Sequence, residues 1–259
     1  MNRAVGLALT LVLTTAASAR AQTGSTPAPS VSFLSRFDFH VGIEHLTSDD
    51  RRFEWDGHWG GELDFIDYRR GALTFYATYQ TILGDEFREF DPNQGNYTLG
   101  SLASVRAGPV EIAGVFHHVS RHLSDRPKRF PVDWNMIGGR VRGRGDRGRT
   151  ELLAQVDVRG VIARSFVDYE WEAEGLGRAQ VRLTPHVALV GLGTLRVVGV
   201  DDSRGRGTQY GWRSDGGVRF EGGAAALELF VAGERRVDPY QLEFSTATWL
   251  TTGFRLVRR

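Results

Sequence analysis

The feature that most constrains this chain is a period-two alternation of apolar and polar residues along most of its length. In one segment Phe37, Phe39 and Val41 alternate with Asp38 and His40. Because successive side chains of a strand point to opposite faces, this spacing predicts strands with one apolar and one charged face. Beyond the N-terminal region, no apolar run reaches the roughly 18 residues that a membrane-spanning helix needs, which excludes a helical membrane protein.

Residues 1–21 have the layout of a cleavable signal peptide. Arg3 is positively charged, an apolar run extends from Ala4 to about Leu13, and small residues lead to Ala19 and Ala21. We expect a disordered lead-in at 22–32 and a single domain at 33–259. The chain has no cysteine, so the exported fold needs no disulfide, and an N-terminal lipid anchor on cysteine is excluded.

The charged faces of the strands decide between a soluble sandwich and a barrel. A polar face so rich in acids and arginines suits a water-filled or ion-paired barrel interior better than an exposed sheet surface. Together with the export signal, this predicts an all-β, antiparallel transmembrane barrel in the outer membrane of a Gram-negative bacterium. Interior ion pairs or a polar channel lining are predicted for the charged residues, including Glu62, Asp64, Arg140, Glu170 and Arg219.

Thirteen candidate strands can be placed, whereas bacterial barrels have an even number. Pro185 and three glycines blur the boundaries near 178–200, so one candidate there is expected to be wrong and twelve strands are predicted. The candidates are 33–45, 59–68, 72–84, 96–106, 109–122, 132–143, 149–160, 165–174, 178–189, 194–200, 209–221, 224–235 and 241–257.

Connection lengths predict the orientation, since periplasmic turns are short and external loops are long. Ala107-Gly108 is a tight turn, whereas 47–57, 84–94 and 123–131 are long and charged. The hairpin that joins the strands at 109–122 and 132–143 should therefore point out of the cell.

That hairpin carries the candidate catalytic residues. His118 and Ser120 share the face of Ile112 and Phe116, and they are separated by about 6.6 Å of strand rise, within reach of an imidazole and a hydroxyl. In the returning strand Asn135 lies on the face opposite to Arg140 and Arg142, which belong in the lumen. All three candidates are thus predicted to face lipid, with Ser120 as nucleophile, His118 as base and Asn135 as the residue that orients the imidazole.

The motif His118-x-Ser120, a loop with Ser124-Asp125, and then Trp134-Asn135 resembles the outer-membrane phospholipase A family. The resemblance implies a twelve-stranded barrel with lipid-facing Ser, His and Asn, calcium-dependent hydrolysis of phospholipid acyl esters, and activation in a homodimer. Ser124 and Asp125 are weak candidates for calcium oxygen ligands. The family has Asn-Gly where this chain has Arg121-His122, and its serine-to-asparagine spacing is shorter.

Residues 118–125 also resemble the His-x-Ser-x-His-Leu-Gly-Asp motif of an uncharacterised group of outer-membrane barrels, with Ser124 in place of the glycine. That resemblance implies that the chain is in the outer membrane, but it implies no activity.

Three functions remain open on the sequence: a phospholipid acyl hydrolase, a lipid A deacylase in which Asp133 is the acid, and a passive pore or structural barrel. The expected partners are membrane phospholipid and the bilayer. Acidic and basic residues nearly cancel, 31 against 32, which gives no support to nucleic-acid binding.

Overall fold

The computed structural model describes residues 31–124, 126–127 and 129–258, so the predicted signal peptide and most of the predicted lead-in lie outside the described residues. Within this part of the chain, twelve antiparallel strands close into a barrel in which each strand pairs with its neighbours in sequence and β1 pairs with β12. The strands are β1 Ser32–Leu46, β2 Trp55–Asp67, β3 Ala72–Gly84, β4 Asp91–Ala107, β5 Val110–His122, β6 Val132–Arg147, β7 Thr150–Ser165, β8 Tyr169–Arg182, β9 Val187–Val200, β10 Gln209–Glu221, β11 Ala225–Val237 and β12 Thr246–Arg258.

The predicted strand number is confirmed, and the surplus candidate falls in the expected region. Three candidate segments between 165 and 200 correspond to only two strands, β8 and β9. Pro185 lies in the connection between them, where its missing N–H costs no ladder hydrogen bond. Gly191 and Gly193 resemble turn signals, but β9 continues through both because it pairs with β8 and β10 along this stretch.

The connections divide between the two ends of the barrel. One end carries most of the longer ones, and we call it the long-loop end: 47–54, 85–90, 123–131, 166–168, 201–208 and 238–245. The other end carries 68–71, 108–109, 148–149, 183–186 and 222–224. The hairpin of β5 and β6 has its tip at the long-loop end, which is the end predicted to be external.

The outer face of the barrel is apolar and the inner face is charged. Large apolar side chains such as Phe37, Ile112 and Leu250 are between 54 and 69 % exposed, as expected for a surface whose solvent is lipid. Among the described residues, no helix is long and apolar enough to cross a membrane.

The lumen is filled by ion pairs that join neighbouring strands. Four of the acids and arginines predicted to lie inside do so: Glu62, Asp64, Arg140 and Arg219 are in interior ion pairs. The prediction that Glu170 lies inside the barrel is wrong, because its side chain is exposed. The pairing of β8 with β9 shifts register between Tyr169 and Trp171, and a shifted register breaks the simple alternation that predicted an inward Glu170.

The long-loop end is closed from within by side chains of the loops and strand ends. One apolar cluster contains Phe53 and Trp249, whose rings lie 5.3 Å apart. A second packs Trp134 and Met136 around Tyr169, whose hydroxyl donates to Asp238 at 2.6 Å. This packing holds the outer ends of β5 and β6 in place.

Candidate functional site

The candidate residues lie on the outer face of β5 and β6, close to the long-loop end. The two strands pair so that His118 is opposite Asn135 and Ser120 is opposite Asp133. Val119 and Arg121 alternate with them and point inward, where Arg121 donates to the carbonyl oxygens of residues 238 and 239. Inward packing of the alternate positions therefore presents His118, Ser120 and Asn135 together on the apolar exterior, as the alternation predicts.

His118 and Asn135 are joined by a hydrogen bond of 2.9 Å between Nδ1 and Oδ1. Because an amide oxygen can only accept, Nδ1 of His118 carries the proton and Nε2 keeps its lone pair. An imidazole in this tautomer, held through Nδ1 and basic at Nε2, has the arrangement that a serine hydrolase requires of its base.

The hydroxyl of Ser120 bonds to a different imidazole from the one that the sequence predicts. Its Oγ lies 2.9 Å from Nε2 of His122, and no hydrogen bond joins it to His118 among the residues described. His118 and His122 are each two residues from Ser120 on the same face, so the hydroxyl stands between two imidazoles. Use of His118 as the base would require this hydroxyl to turn from His122 toward Nε2 of His118.

The position of Asp133 bears on the deacylase alternative. Its backbone is directly opposite Ser120 on β6. The group that engages the imidazole of His118 is nevertheless the amide of Asn135 rather than this carboxylate. The geometry therefore favours a Ser/His/Asn arrangement.

His117 points to the lumen, as the alternation predicts. Its Nδ1 lies 2.6 Å from the hydroxyl of Tyr76 and 3.4 Å from a guanidinium nitrogen of Arg159. It belongs to the interior hydrogen-bond network and does not reach the outer site.

Of the two weak calcium candidates, only Ser124 lies among the described residues. Ser124 is exposed in the loop after β5, with its backbone in the left-handed region at φ 43°. Asp125 lies outside the described residues.

An aromatic row that sequence reasoning missed leads away from Ser120 across the outer face. Trp59, Tyr79 and Tyr97 are cross-strand partners in turn, with ring centroids 4.6 Å apart at both steps, and Tyr97 is opposite Ser120. Tyr97 also meets the ring of His122 edge-on at 5.3 Å. The members of the row are far apart in the chain, so only the strand register shows that they are neighbours.

A groove of about 530 Å³ runs beside this row. It is bounded by Tyr97 and Leu99, the β4 partners of Ser120 and His118. The other lining residues are Phe37, Trp59, Gly60, Gly61, Leu63, Phe75, Tyr76, Ala77, Thr78, Tyr79 and Gly100. The groove is therefore apolar and opens next to the candidate nucleophile.

No protein-family model matches the chain. No curated protein matches it in sequence either. Among solved structures, it is similar to outer membrane phospholipase A from Escherichia coli, with a TM-score of 0.55 and 10% identity over 88% of this chain and 98% of that one.

Two related structures match it to the same degree. An active-site mutant of the Escherichia coli phospholipase has a TM-score of 0.54 at 10% identity, over 92% of this chain and 95% of that one. The outer membrane phospholipase dimer of Salmonella typhi, with bound calcium, has a TM-score of 0.54 at 10% identity, over 86% and 90%. At such identity the likeness shows the fold alone: the chain is a closed twelve-strand antiparallel barrel of the outer-membrane type.

Proposed function

We propose that this barrel is an acyl-ester hydrolase of the outer membrane that acts on phospholipids of the outer leaflet through Ser120, His118 and Asn135. The observation that carries the proposal is the hydrogen bond between His118 and Asn135 beside the hydroxyl of Ser120. All three side chains lie on the lipid-facing side of the barrel, which a water-soluble substrate cannot reach.

The mechanism follows from the tautomer of His118. Ser120 Oγ attacks the acyl carbonyl carbon while Nε2 of His118 takes the hydroxyl proton, and the imidazolium then gives this proton to the leaving alcohol. Water then loses a proton to the same nitrogen as it attacks the acyl-serine, and the imidazolium returns that proton to Ser120 Oγ when the bond to the fatty acid breaks. Throughout, Nδ1–H of His118 donates to Asn135, and a neutral amide avoids placing a second charge against lipid.

The apolar groove beside the candidate site suits the acyl chain of a phospholipid. Its apolar lining between Tyr97 and Phe37 suits an acyl chain, and Leu99 places it beside His118. A chain seated there keeps its ester close to Ser120, so that binding of remote methylenes positions the reacting bond.

The roles of the two imidazoles are separable by substitution. His118→Ala should lower phospholipid hydrolysis by about a hundredfold to ten-thousandfold, the contribution of a general base. His122→Ala should lower it by less than about tenfold, because His122 only holds the resting hydroxyl. Initial rates of fatty-acid release from the purified barrel in micelles measure both. The reverse order of effects would assign the base to His122.

Filling the groove should select against long acyl chains. Ala77 lines it and is exposed on the outer face of β3, so Ala77→Phe should slow hydrolysis of a long-chain phospholipid by about tenfold. A short-chain ester should be cleaved at the normal rate. Ala179→Phe, on the outer face of β8, is the matched control. Equal slowing of both substrates by Ala77→Phe would contradict an acyl-chain role for the groove.

Product analysis tests the proposal as a whole. Free fatty acid released from phospholipid by the purified chain supports it, whereas a shortened lipid A would identify a deacylase. Conductance without either product would identify a pore. Because the Salmonella neighbour is a dimer with bound calcium, the assay includes calcium and a chelator in separate arms and follows the oligomeric state by cross-linking. Dependence on calcium and on a homodimer is part of the proposal.

A further inference from the structure

A second cluster of ligand-type side chains lies inside the barrel, on β1 and β2. It is formed by two cross-strand pairs that follow each other on the lumen face: Glu44 is opposite Asp56, and Gly42 is opposite His58. A Cβ at Gly42 would come within 3.2 Å of Nε2 of His58, so the absence of a side chain there leaves room for the imidazole. The strand register thus brings one imidazole and two carboxylates to one place in the lumen.

Asp56 is held through only one of its oxygens. Arg236 and Gln80 each donate to Oδ2 at 2.7 Å. The other oxygen, Oδ1, is buried and has no hydrogen-bond partner, in a side chain that is 1% exposed. Nδ1 of His58 is 3.8 Å away, which is too far for a hydrogen bond. A buried carboxylate oxygen left without a donor is costly unless a cation occupies its free side.

Glu44 is oriented in the same manner. Its Oε2 accepts from Arg213 at 2.9 Å and from Thr251 at 2.6 Å, while Oε1 accepts from Arg213 alone at 2.9 Å. A carboxylate oxygen has two lone-pair sites, so Oε1 keeps one. In metal centres, neighbouring side chains typically hold the ligand residues by hydrogen bonds and leave one lone pair of each ligand free for the metal.

We propose that Glu44, Asp56 and His58 bind a divalent metal ion of the Zn²⁺ class. One donor atom from each side chain lies within 4.8 Å of the others, so an ion bound at about 2.0–2.2 Å from each donor would draw them closer together. One imidazole and two carboxylates form a donor set that suits Zn²⁺ and its first-row neighbours. Three protein ligands leave a fourth tetrahedral position for water.

The local charge balance accepts a cation. Among the described residues, the three carboxylates of Glu44, Asp56 and Glu234 pair with the two guanidiniums of Arg213 and Arg236, and Asp56 also lies 3.8 Å from the imidazole of His58. Arg213 is shared further with Asp215, at 3.6 Å. The cluster therefore carries an excess of negative charge in a buried environment.

Metal binding by the folded, full-length barrel in micelles tests the site. After treatment with chelator, titration calorimetry with Zn²⁺ alone should give one ion per chain, and Co²⁺ should give visible absorption bands from an imidazole and carboxylate ligand field. His58→Ala should weaken Zn²⁺ binding by at least about a hundredfold. His186→Ala, which removes an exposed histidine from a short turn, should bind as tightly as the parent.

Asp56→Asn provides the second variant and should weaken binding to a similar extent, with the fold checked by circular dichroism. Failure of the parent to bind Zn²⁺ or Co²⁺ would overturn the proposal. So would binding that survives both substitutions, or that is lost instead when His118 and His122 on the outer face are replaced. None of these outcomes depends on whether the barrel hydrolyses lipid.

Discussion

Ser120→Ala is expected to abolish release of fatty acid from phospholipid while leaving the barrel folded. The substitution removes the nucleophile, so the rate should fall at least about a thousandfold, to the level that binding alone supports. Ser120 lies on the outer face and its hydroxyl bonds only at the surface, to His122. Stability and assembly should therefore be unchanged, which electrophoretic mobility of the unheated barrel measures alongside the rate.

A matched control comes from the opposite side of the barrel. Ser214 lies on the outer face of another strand, β10, where it is exposed, and its replacement by alanine should leave the rate unchanged. If Ser120→Ala hydrolyses phospholipid at the parent rate, Ser120 is not the nucleophile. The remaining interpretations of the chain would then be a structural barrel or a pore.

The fold could be predicted because its strongest signals are local. Alternation in segments such as 37–43 follows directly from strand geometry, and the charged faces required a polar interior. The structure bears this out in Arg36, which is bonded to Asp64, and Arg140, which is bonded to Asp157. Glycines within β9 misled the placement of strands because ladder pairing on both edges outweighs their local preference for turns.

For the site, the sequence could predict only which strand face each side chain is on. Alternation places His118, Ser120 and His122 on one face, but both histidines are two residues from the serine, so the sequence does not show that the hydroxyl bonds to His122. The aromatic row and the metal cluster depend on register between strands. Which residues stand opposite Tyr97 or Glu44 is decided by loop lengths and bulges, and these carry little sequence signal.

The largest effect on stability is expected from Glu228, a carboxylate that joins four strands inside the lumen. It lies on β11, is fully buried, and accepts from Arg178 of β8 at 2.5 Å, Arg219 of β10 at 2.8 Å and Arg255 of β12 at 2.5 Å. Glu228→Ala leaves three guanidiniums close together without their shared anion. We expect the free energy of unfolding to fall by about 3–5 kcal/mol, the usual cost of breaking a buried ion pair from one side.

Denaturant titration of the barrel in lipid vesicles, followed by tryptophan fluorescence, measures the effect. Glu151→Ala is the control: its pair with Arg182 has the same 2.5 Å distance, but both side chains are about half exposed, so the loss should stay below about 1 kcal/mol. Glu228→Gln keeps the shape and removes the charge, and an intermediate value is expected from it. If Glu228→Ala costs no more than Glu151→Ala, then water or ions in the lumen neutralise the arginines, and the interior network does not set the stability of the barrel.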